Sequence, residues 1–277
     1  MGIQSVVNML HIVSLSGGKD STAMLLMMLE REMPIDYILF CDTGVEFPEM
    51  YEHLQKVDDY IGEKYGKHIT YLKSDKDYQY YFSERVITKG ERKGTKGYGY
   101  ASTRNRWCTD RLKVKPQEKF TKALKQPYIL YCGIAADEPE RLKQYEYKRY
   151  PLAEWGVTEA QCLDYCKALG FTWGGLYDKF NRTGCYLCPL QSKNDWRVLY
   201  KNYPELFKRA MEIEAGKQGT DLMNRCRLTD YKAQFEFETK TGKSYKRYPR
   251  DPDKIKKFQD KEIALLEKEK QCPKEQK

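Results

Sequence analysis

The chain has 277 residues, 40% hydrophobic and 32% charged, with a formal net charge of +9. That length supports one large domain with a buried core, or one domain with an appendage. No run of 18 apolar residues exists, which excludes a membrane-spanning helix. Met1 to Leu10 lacks the basic start and long apolar stretch of a signal peptide, so a cytoplasmic protein is expected. The positive charge suits anionic partners, nucleotides or nucleic acid, and equally suits a basic solvated surface. Nine cysteines in a reducing compartment read as core thiols or as ligands of a metal or cluster, rather than as disulfides.

Leu10 to Leu15 is a short apolar run ending at a glycine pair, which predicts a buried strand. Thr22 to Arg31 predicts a helix buried over much of its surface. Asp36 to Cys41 is a second strand, with Asp42-Thr43-Gly44 as its exit turn. Pro48 to Tyr65 predicts a helix with proline at an early position, where a missing N–H costs little. Ile69 to Leu72 is a third strand and Tyr128 to Ile134 a fourth. Between them, Lys89 to Arg106 carries six basic residues against Glu91, with four glycines, and reads as a mobile lid or a disordered connector. Cys162 and Cys166 share one face of a helix over Thr158 to Leu169 and read as core. Lys240 to Lys277 has net charge +6, with a terminal helix over Asp253 to Lys270 that packs on the body or meets a polyanion.

Alternating strands and helices predict an α/β fold, a Rossmann-like parallel sheet with helices on both faces. A mainly helical extension follows, giving domains 1–215 and 216–277. Ligands in such sheets bind beyond the carboxyl ends of the strands, where Ser16–Thr22 and Asp42–Gly44 both fall.

The loop Ser16-Gly17-Gly18-Lys19-Asp20-Ser21-Thr22 has a physical logic for phosphate. Gly17 and Gly18 let backbone N–H groups approach phosphate oxygens, and the following helix N-terminus and Lys19 add positive charge. The hydroxyls of Ser21 and Thr22 can add hydrogen bonds. Asp20 suits phosphates only if it holds Mg²⁺ or caps the helix. The Walker spacing is absent. The loop resembles instead the S-G-G-x-D-S motif of the PP-loop ATP pyrophosphatases, matched at all six positions from Ser16 to Ser21. Enzymes of that group cleave ATP between the α and β phosphates and adenylylate a substrate.

The resemblance extends to the phosphoadenosine phosphosulfate (PAPS) reductase family over roughly residues 10 to 200. Asp42-Thr43-Gly44 is similar to the family's D-T-G turn near adenine and ribose. Gly133-Ile134-Ala135-Ala136-Asp137-Glu138 with Arg141 resembles G-x-R-x-x-E-S-x-R, with Ala135 where an arginine is frequent. Tyr150-Pro151-Leu152 with Trp155 resembles P-L-x-x-W. The resemblance implies adenine-nucleotide contacts at Ser14, Ser16, Gly17, Gly18, Lys19, Asp20, Ser21, Thr22, Asp42, Thr43, Gly44, Gly133 and Arg141. It also implies catalytic roles for Lys19 and Asp20.

Cys185-Tyr186-Leu187-Cys188 has the spacing of a ligand pair at a tight turn. Cys108 lies 77 positions earlier, in a segment similar to the R-x-C-C-x-x-R-K-V-x-P of cluster-bearing reductases, but Trp107 stands where the first cysteine would. The resemblance implies Cys108, Cys185 and Cys188 as ligands of a [4Fe–4S] cluster with one open iron. Zn²⁺ with a fourth ligand and thiol redox chemistry are the alternatives, with Cys41 and Cys226 the candidates for any fourth ligand. His11, His53 and His68 read as structural.

Reductases of the family usually have a degenerate glycine loop and a C-terminal E-C-G-L-H segment. Here the loop is intact, and neither Cys226 nor Cys272 matches that segment. The leading expectation is therefore an enzyme that cleaves ATP to AMP and pyrophosphate with Mg²⁺ and activates a substrate for sulfur transfer. A nucleic-acid acceptor and a sulfur-donor protein are its expected partners. The alternatives are a sulfonucleotide reductase and a non-catalytic nucleotide-binding protein with a structural metal.

Overall fold

A computed structural model of the protein describes residues 9–180, 183–217 and 226–271. They divide into two compact units, Met1–Cys188 and Pro189–Lys277.

The first unit is built on a five-stranded parallel sheet of order β3-β2-β1-β4-β5. Its strands are β1 Leu10–Leu15, β2 Tyr37–Asp42, β3 Ile69–Lys73, β4 Tyr128–Cys132 and the two-residue β5 Lys148–Arg149. The first helices are α1 Lys19–Glu30 and α2 Pro48–Tyr65, which carry the chain from β1 to β3. The chain then returns across the sheet through the short α3 Trp107–Thr109 and α4 Lys115–Leu124 to β4. Right-handed crossovers running outward and then back place helices on both faces. On one face Ile12, Leu39 and Leu130 form a cluster covered by Phe120 and Leu124 of α4. Four helices or short turns complete the unit: α5 Pro151–Glu154, α6 Glu159–Ala168, a tight turn at Trp173–Gly175 and α7 Leu176–Lys179.

The expected strands stand within two residues of their predicted bounds. β5 was not predicted, since two residues carry no period of their own. Lys89–Arg106 is not a structureless connector. Val86 and Lys96 form an antiparallel bridge, and Ile87, Gly94 and Gly97 donate backbone hydrogen bonds to Thr95, Ile87 and Arg85. The segment is the continuation of a basic hairpin arm.

The second unit contains α8 Lys193–Asn202, α9 Pro204–Ala215, α10 Leu228–Thr241 and α11 Pro252–Gln271. The sequence predicted a boundary at 215/216. The compact units part at 188/189, because α8 and α9 pack with α10. Trp196, Leu199, Phe207, Ile213 and Phe235 form the buried centre, and Phe258 of α11 lies against Phe237, Tyr245 and Tyr248. Cys226 belongs to this unit, while Cys272 falls outside the described residues.

The polar pin of the second unit is Glu238, almost fully buried. Arg197 forks onto it at 2.6 and 3.1 Å, and Gln234 and the Tyr245 N–H donate at 2.7 and 2.9 Å. Burial pushes the Glu238 carboxyl up, but Arg197, the Tyr245 N–H and Gln234 outweigh it and hold the group below the usual carboxylate range. Arg197→Ala leaves this charge buried and is expected to cost about 3 kcal/mol in thermal denaturation. A lowered folded value means that the unfolded chain binds the proton first. The pair's contribution is therefore full above about pH 4.3 and is lost as pH falls through the lower folded value. Glu238→Gln should flatten that acid limb.

Candidate functional site

β1 ends at the centre of the sheet, beside the point where the strand order reverses between β1 and β4. Open α/β sheets bind ligands in the crevice at such a point. The loop leaving β1 is tightly cross-tied. The Ser16 N–H donates to Ser21 Oγ at 3.1 Å, the two serine hydroxyls are 2.9 Å apart, and Ser21 Oγ donates to the Gly18 carbonyl at 3.1 Å. Gly17 has φ +80°, and a Cβ there would lie 2.6 Å from the Met50 sulfur. Trp173 Nε1 donates to the Gly17 carbonyl at 2.7 Å, and the Lys19 N–H donates to Tyr177 Oη at 2.7 Å. α1 begins at Lys19, three residues earlier than predicted, with Gly18 as its cap.

Two predicted contacts sit differently from the rest of the loop. Thr22 is fully buried and shares a 3.1 Å hydrogen bond with His53, which stacks on Trp173. Its hydroxyl supports the loop from behind instead of facing its open side. Ser14 lies within β1, between Leu39 and Cys132 of its neighbours. The other histidines are also engaged: His11 with Tyr131 Oη and His68 with Asp58.

Gly133 closes the crevice from the β4 side. A Cβ there would meet the Ser21 N and Cα at 2.8 and 2.7 Å, so only glycine lets the two backbones approach. Five residues on, Glu138 joins Asp20 and Glu159, and ligand oxygens of the three lie within 4.8 Å of one another. Lys19 Nζ bonds Asp20 at 2.9 Å and Glu159 at 2.8 Å, and Arg141 pairs with Glu138. Burial raises the Asp20 carboxyl; Lys19 opposes this, and Glu159 and Glu138 add to it. Burial lowers Lys19, but Glu159 and Asp20 outweigh it and hold its ammonium above the ordinary value. Three convergent carboxylates beside a phosphate-type loop are the oxygen donors that Mg²⁺ takes. The sequence offered no sign that Glu159 would join Asp20, because α6 arrives there only through packing on α1.

Asp42-Thr43-Gly44 stands at the carboxyl end of β2, next to β1. Burial pushes the Asp42 carboxyl up, but Tyr51 at 2.7 Å, the Gly44 N–H at 2.8 Å and Lys73 at 3.0 Å hold it below its usual range. Thr43 is buried and donates to Glu46 at 2.9 Å. Ala135, where the family's arginine is frequent, is fully buried.

Cys108 comes from a distant segment into electrostatic reach of Cys188, but the sulfurs of Cys108, Cys185 and Cys188 do not all lie within 4.8 Å of one another. Cys185 and Cys188 share a tight turn closed by a 3.0 Å backbone hydrogen bond, which the Tyr186 N–H ties to the Val45 carbonyl. Cys185 and Cys188 are free thiols that share a hydrogen bond, and Cys108 feels the charge of Cys188. Beneath them Tyr78 is buried, interacts with all three thiols and has an Oη without a hydrogen-bond partner. Lys113 lies alongside, 3.6 Å from the buried Glu46, and feels Cys185, Cys108 and Cys41. Burial and mutual repulsion push the Cys108 thiol up. A cationic centre is what would ionise such thiols, and the Tyr78 phenol, whose Oη has no hydrogen-bond partner, stands among them. Cys41 donates to the Lys113 carbonyl at 3.3 Å, whereas Cys226 lies among Arg250, Asp230, Tyr231 and Lys193 of the second unit. Trp107, in place of the family's extra cysteine, is buried among Tyr78, Tyr81 and Tyr98, and its Nε1 donates to the Gly99 carbonyl at 2.9 Å.

Gly133→Ala is expected to lower stability by about 2 kcal/mol and to weaken nucleotide binding with it, checked by thermal denaturation and titration calorimetry. Trp173→Phe removes one hydrogen bond to the loop and should cost about 1 kcal/mol.

Two uncharacterized proteins of Methanocaldococcus jannaschii are each 26% identical to the chain over 211 residues, 72% of it, covering 46% and 40% of their own lengths. An uncharacterized nin region protein of Escherichia phage lambda is 31% identical over 163 residues, 53% of this chain and 54% of its own. The chain thus spans about half the length of the curated relatives it matches. Two solved structures show a partial likeness to the chain. The PAPS reductase from Candida auris, in a phosphate complex, has TM-score 0.43 and 19% identity, over 65% of this chain and 84% of that one. The U34-tRNA thiolase NcsA from Methanococcus maripaludis, with its [4Fe-4S] cluster, has TM-score 0.40 and 16% identity, over 77% and 73%. Residues 10–191 match the phosphoadenosine phosphosulfate reductase domain, the greater part of the chain, and the protein belongs to that family.

Proposed function

We propose that the chain binds ATP at the Ser16–Ser21 loop, cleaves it to AMP and pyrophosphate, and uses the adenylyl group to activate a substrate for sulfur transfer. The convergence of Asp20, Glu138 and Glu159 on an intact glycine loop carries this reading. A nucleotide with a β–γ diphosphate brings enough negative charge to need a divalent cation there, and Mg²⁺ shared between carboxylates and phosphates meets that need. When bound, Mg²⁺ neutralises charge on the departing pyrophosphate. Lys19 would add a hydrogen-bonded cation at the same place, and Asp42 and Thr43 would help seat the nucleoside. An oxygen of the acceptor attacks the α-phosphorus as the α–β bridging bond breaks and pyrophosphate leaves. A sulfur nucleophile then attacks the activated carbon. A C–S bond forms, the C–O bond breaks, and AMP departs with that oxygen and its electron pair.

Cys108, Cys185 and Cys188 would hold a [4Fe–4S] cluster, with Zn²⁺ as the alternative occupant. The partnerless Tyr78 hydroxyl and the Lys113 ammonium favour a negatively charged, sulfur-rich group there. A nucleic acid is the proposed acceptor, in keeping with the net charge of +9.

Two measurements test this. Incubation with ATP, Mg²⁺, a nucleic-acid acceptor and sulfide should release pyrophosphate and AMP in equal amounts, and Asp20→Asn should lower kcat about a hundredfold. Sulfite released from a sulfonucleotide would instead make the protein a reductase, and tight ATP binding with neither product would make it a binding protein. Protein purified without oxygen should carry iron and sulfide, lost in Cys185→Ser. One equivalent of zinc without iron would overturn the sulfur-transfer role of the cysteines.

A further inference from the structure

The segment that leaves the carboxylate cluster after Arg141 has no part in the chemistry above. Between Arg141 and Tyr150 it carries Arg141, Lys143, Lys148 and Arg149 against Glu146 alone. It also exposes two large rings, Tyr145 at 43% and Tyr147 at 41%. Their centroids are 5.7 Å apart, and Tyr128 of β4 supports Tyr147 edge-on at 5.6 Å. Lys148 Nζ lies 4.4 Å from the centre of the Tyr145 ring and 5.7 Å from that of Tyr147. A groove of about 440 Å³ beside Tyr145 is lined by Tyr145, Lys148, Arg149 and Tyr150, with Glu146 and Glu154 on its wall.

The backbone beneath the rings is held in place. The Leu130 N–H donates to the Tyr147 carbonyl at 2.7 Å, and the Lys148 N–H donates to the Tyr145 carbonyl at 3.1 Å. Tyr150 Oη donates to the Lys143 carbonyl at 2.7 Å. Lys148 and Arg149 form β5 alongside β4. The rings are therefore presented on the sheet edge, so little ordering is lost when something stacks on them.

Exposed aromatic rings interleaved with cations match one kind of partner best: a flexible polyanion that carries flat rings of its own. Such partners stack their bases on aromatic side chains while lysine and arginine neutralise the phosphates. A duplex offers phosphates but keeps its base faces covered, and an acidic peptide offers charge without bases. The basic arm at Lys89–Arg106 is a poorer match. Its Tyr98 stacks on Trp107 and its Tyr100 packs against Phe82, so its aromatic surface is used internally.

We propose that Tyr145 and Tyr147, with Lys143, Lys148 and Arg149, form a docking platform for single-stranded nucleic acid. The proposal rests on the reading of a nucleic acid as the acceptor, and narrows it to a single-stranded or looped one. Tyr145 is four residues from Arg141, which pairs with Glu138 of the carboxylate cluster. Four residues span at most about 14 Å, so a strand held on the rings lies within a few nucleotides of the loop.

The test is fluorescence anisotropy of the full chain, without ATP, using labelled single-stranded DNA, single-stranded RNA and a duplex of the same sequence. Either single strand should bind at least about tenfold more tightly than the duplex, and the stronger of the two identifies the sugar. With three cations engaged, log affinity should fall with log salt at a slope of about −2. Tyr145→Ala with Tyr147→Ala should weaken binding about tenfold or more. Tyr145→Phe with Tyr147→Phe keeps the rings and should retain it, which separates lost stacking from misfolding. Lys143→Glu should weaken binding and make the salt slope shallower by about one. Equal affinity for duplex or polyglutamate, full binding by the double alanine variant, loss of binding in the double phenylalanine variant, or no binding at all would overturn the platform. A protein that binds single strands yet releases no pyrophosphate from ATP keeps the platform and loses the ATP reading. One that cleaves ATP yet binds no strand does the reverse.

Discussion

The arrangement of the nucleotide crevice depends on one close approach, that of the β4 exit to the first turn of α1. Gly133 stands so near Ser21 that no side chain fits between the backbones. The approach sets where the chain emerges from β4, and so delivers Glu138 and Arg141 to the side of Asp20 and Lys19. A glycine at a strand exit here governs electrostatics several residues away.

The first unit holds two charged environments of opposite kind. Beside the loop, three carboxylates crowd together with Lys19 and Arg141 in attendance, a balance that a divalent cation and a polyphosphate would complete together. At the cysteines, burial pushes the Cys108 thiol up, and Tyr78, with its orphaned phenol, and the Lys113 ammonium both feel Cys108 and Cys185. Glu46 links this second environment to the D-T-G turn, since it accepts from Thr43 and faces Lys113. Glu46 is thus a buried carboxylate in contact with both the D-T-G turn and the lysine beside the cysteines.

Trp107, beside Cys108, has a structural role. The indole that stands in place of a cysteine fills an aromatic cluster with Tyr78, Tyr81 and Tyr98, and its N–H holds the Gly99 carbonyl. Trp107 anchors the basic arm through its hydrogen bond to Gly99. Tyr78 packs against Trp107 on one side and interacts with the thiols on the other.

The parallel sheet, the glycine loop and the paired cysteines were legible in the sequence because each is written in contiguous residues: an apolar run, a six-residue motif, a two-residue spacing. Their local physics is complete within a few positions, and hydrophobic periodicity places strands without knowledge of partners. Glu159, Trp173, Tyr177 and Tyr78 were not legible, because nothing in their neighbourhoods marks them. Each acquires its role from an element that arrives from elsewhere in the chain: α6 packing on α1, the turn at Trp173 against the loop, Tyr78 under cysteines from two segments. The domain boundary and the inward turn of Thr22 belong to the same class. Which helices share a core, and which face of a helix meets His53, are questions of packing between distant segments, and only the tertiary structure decides them.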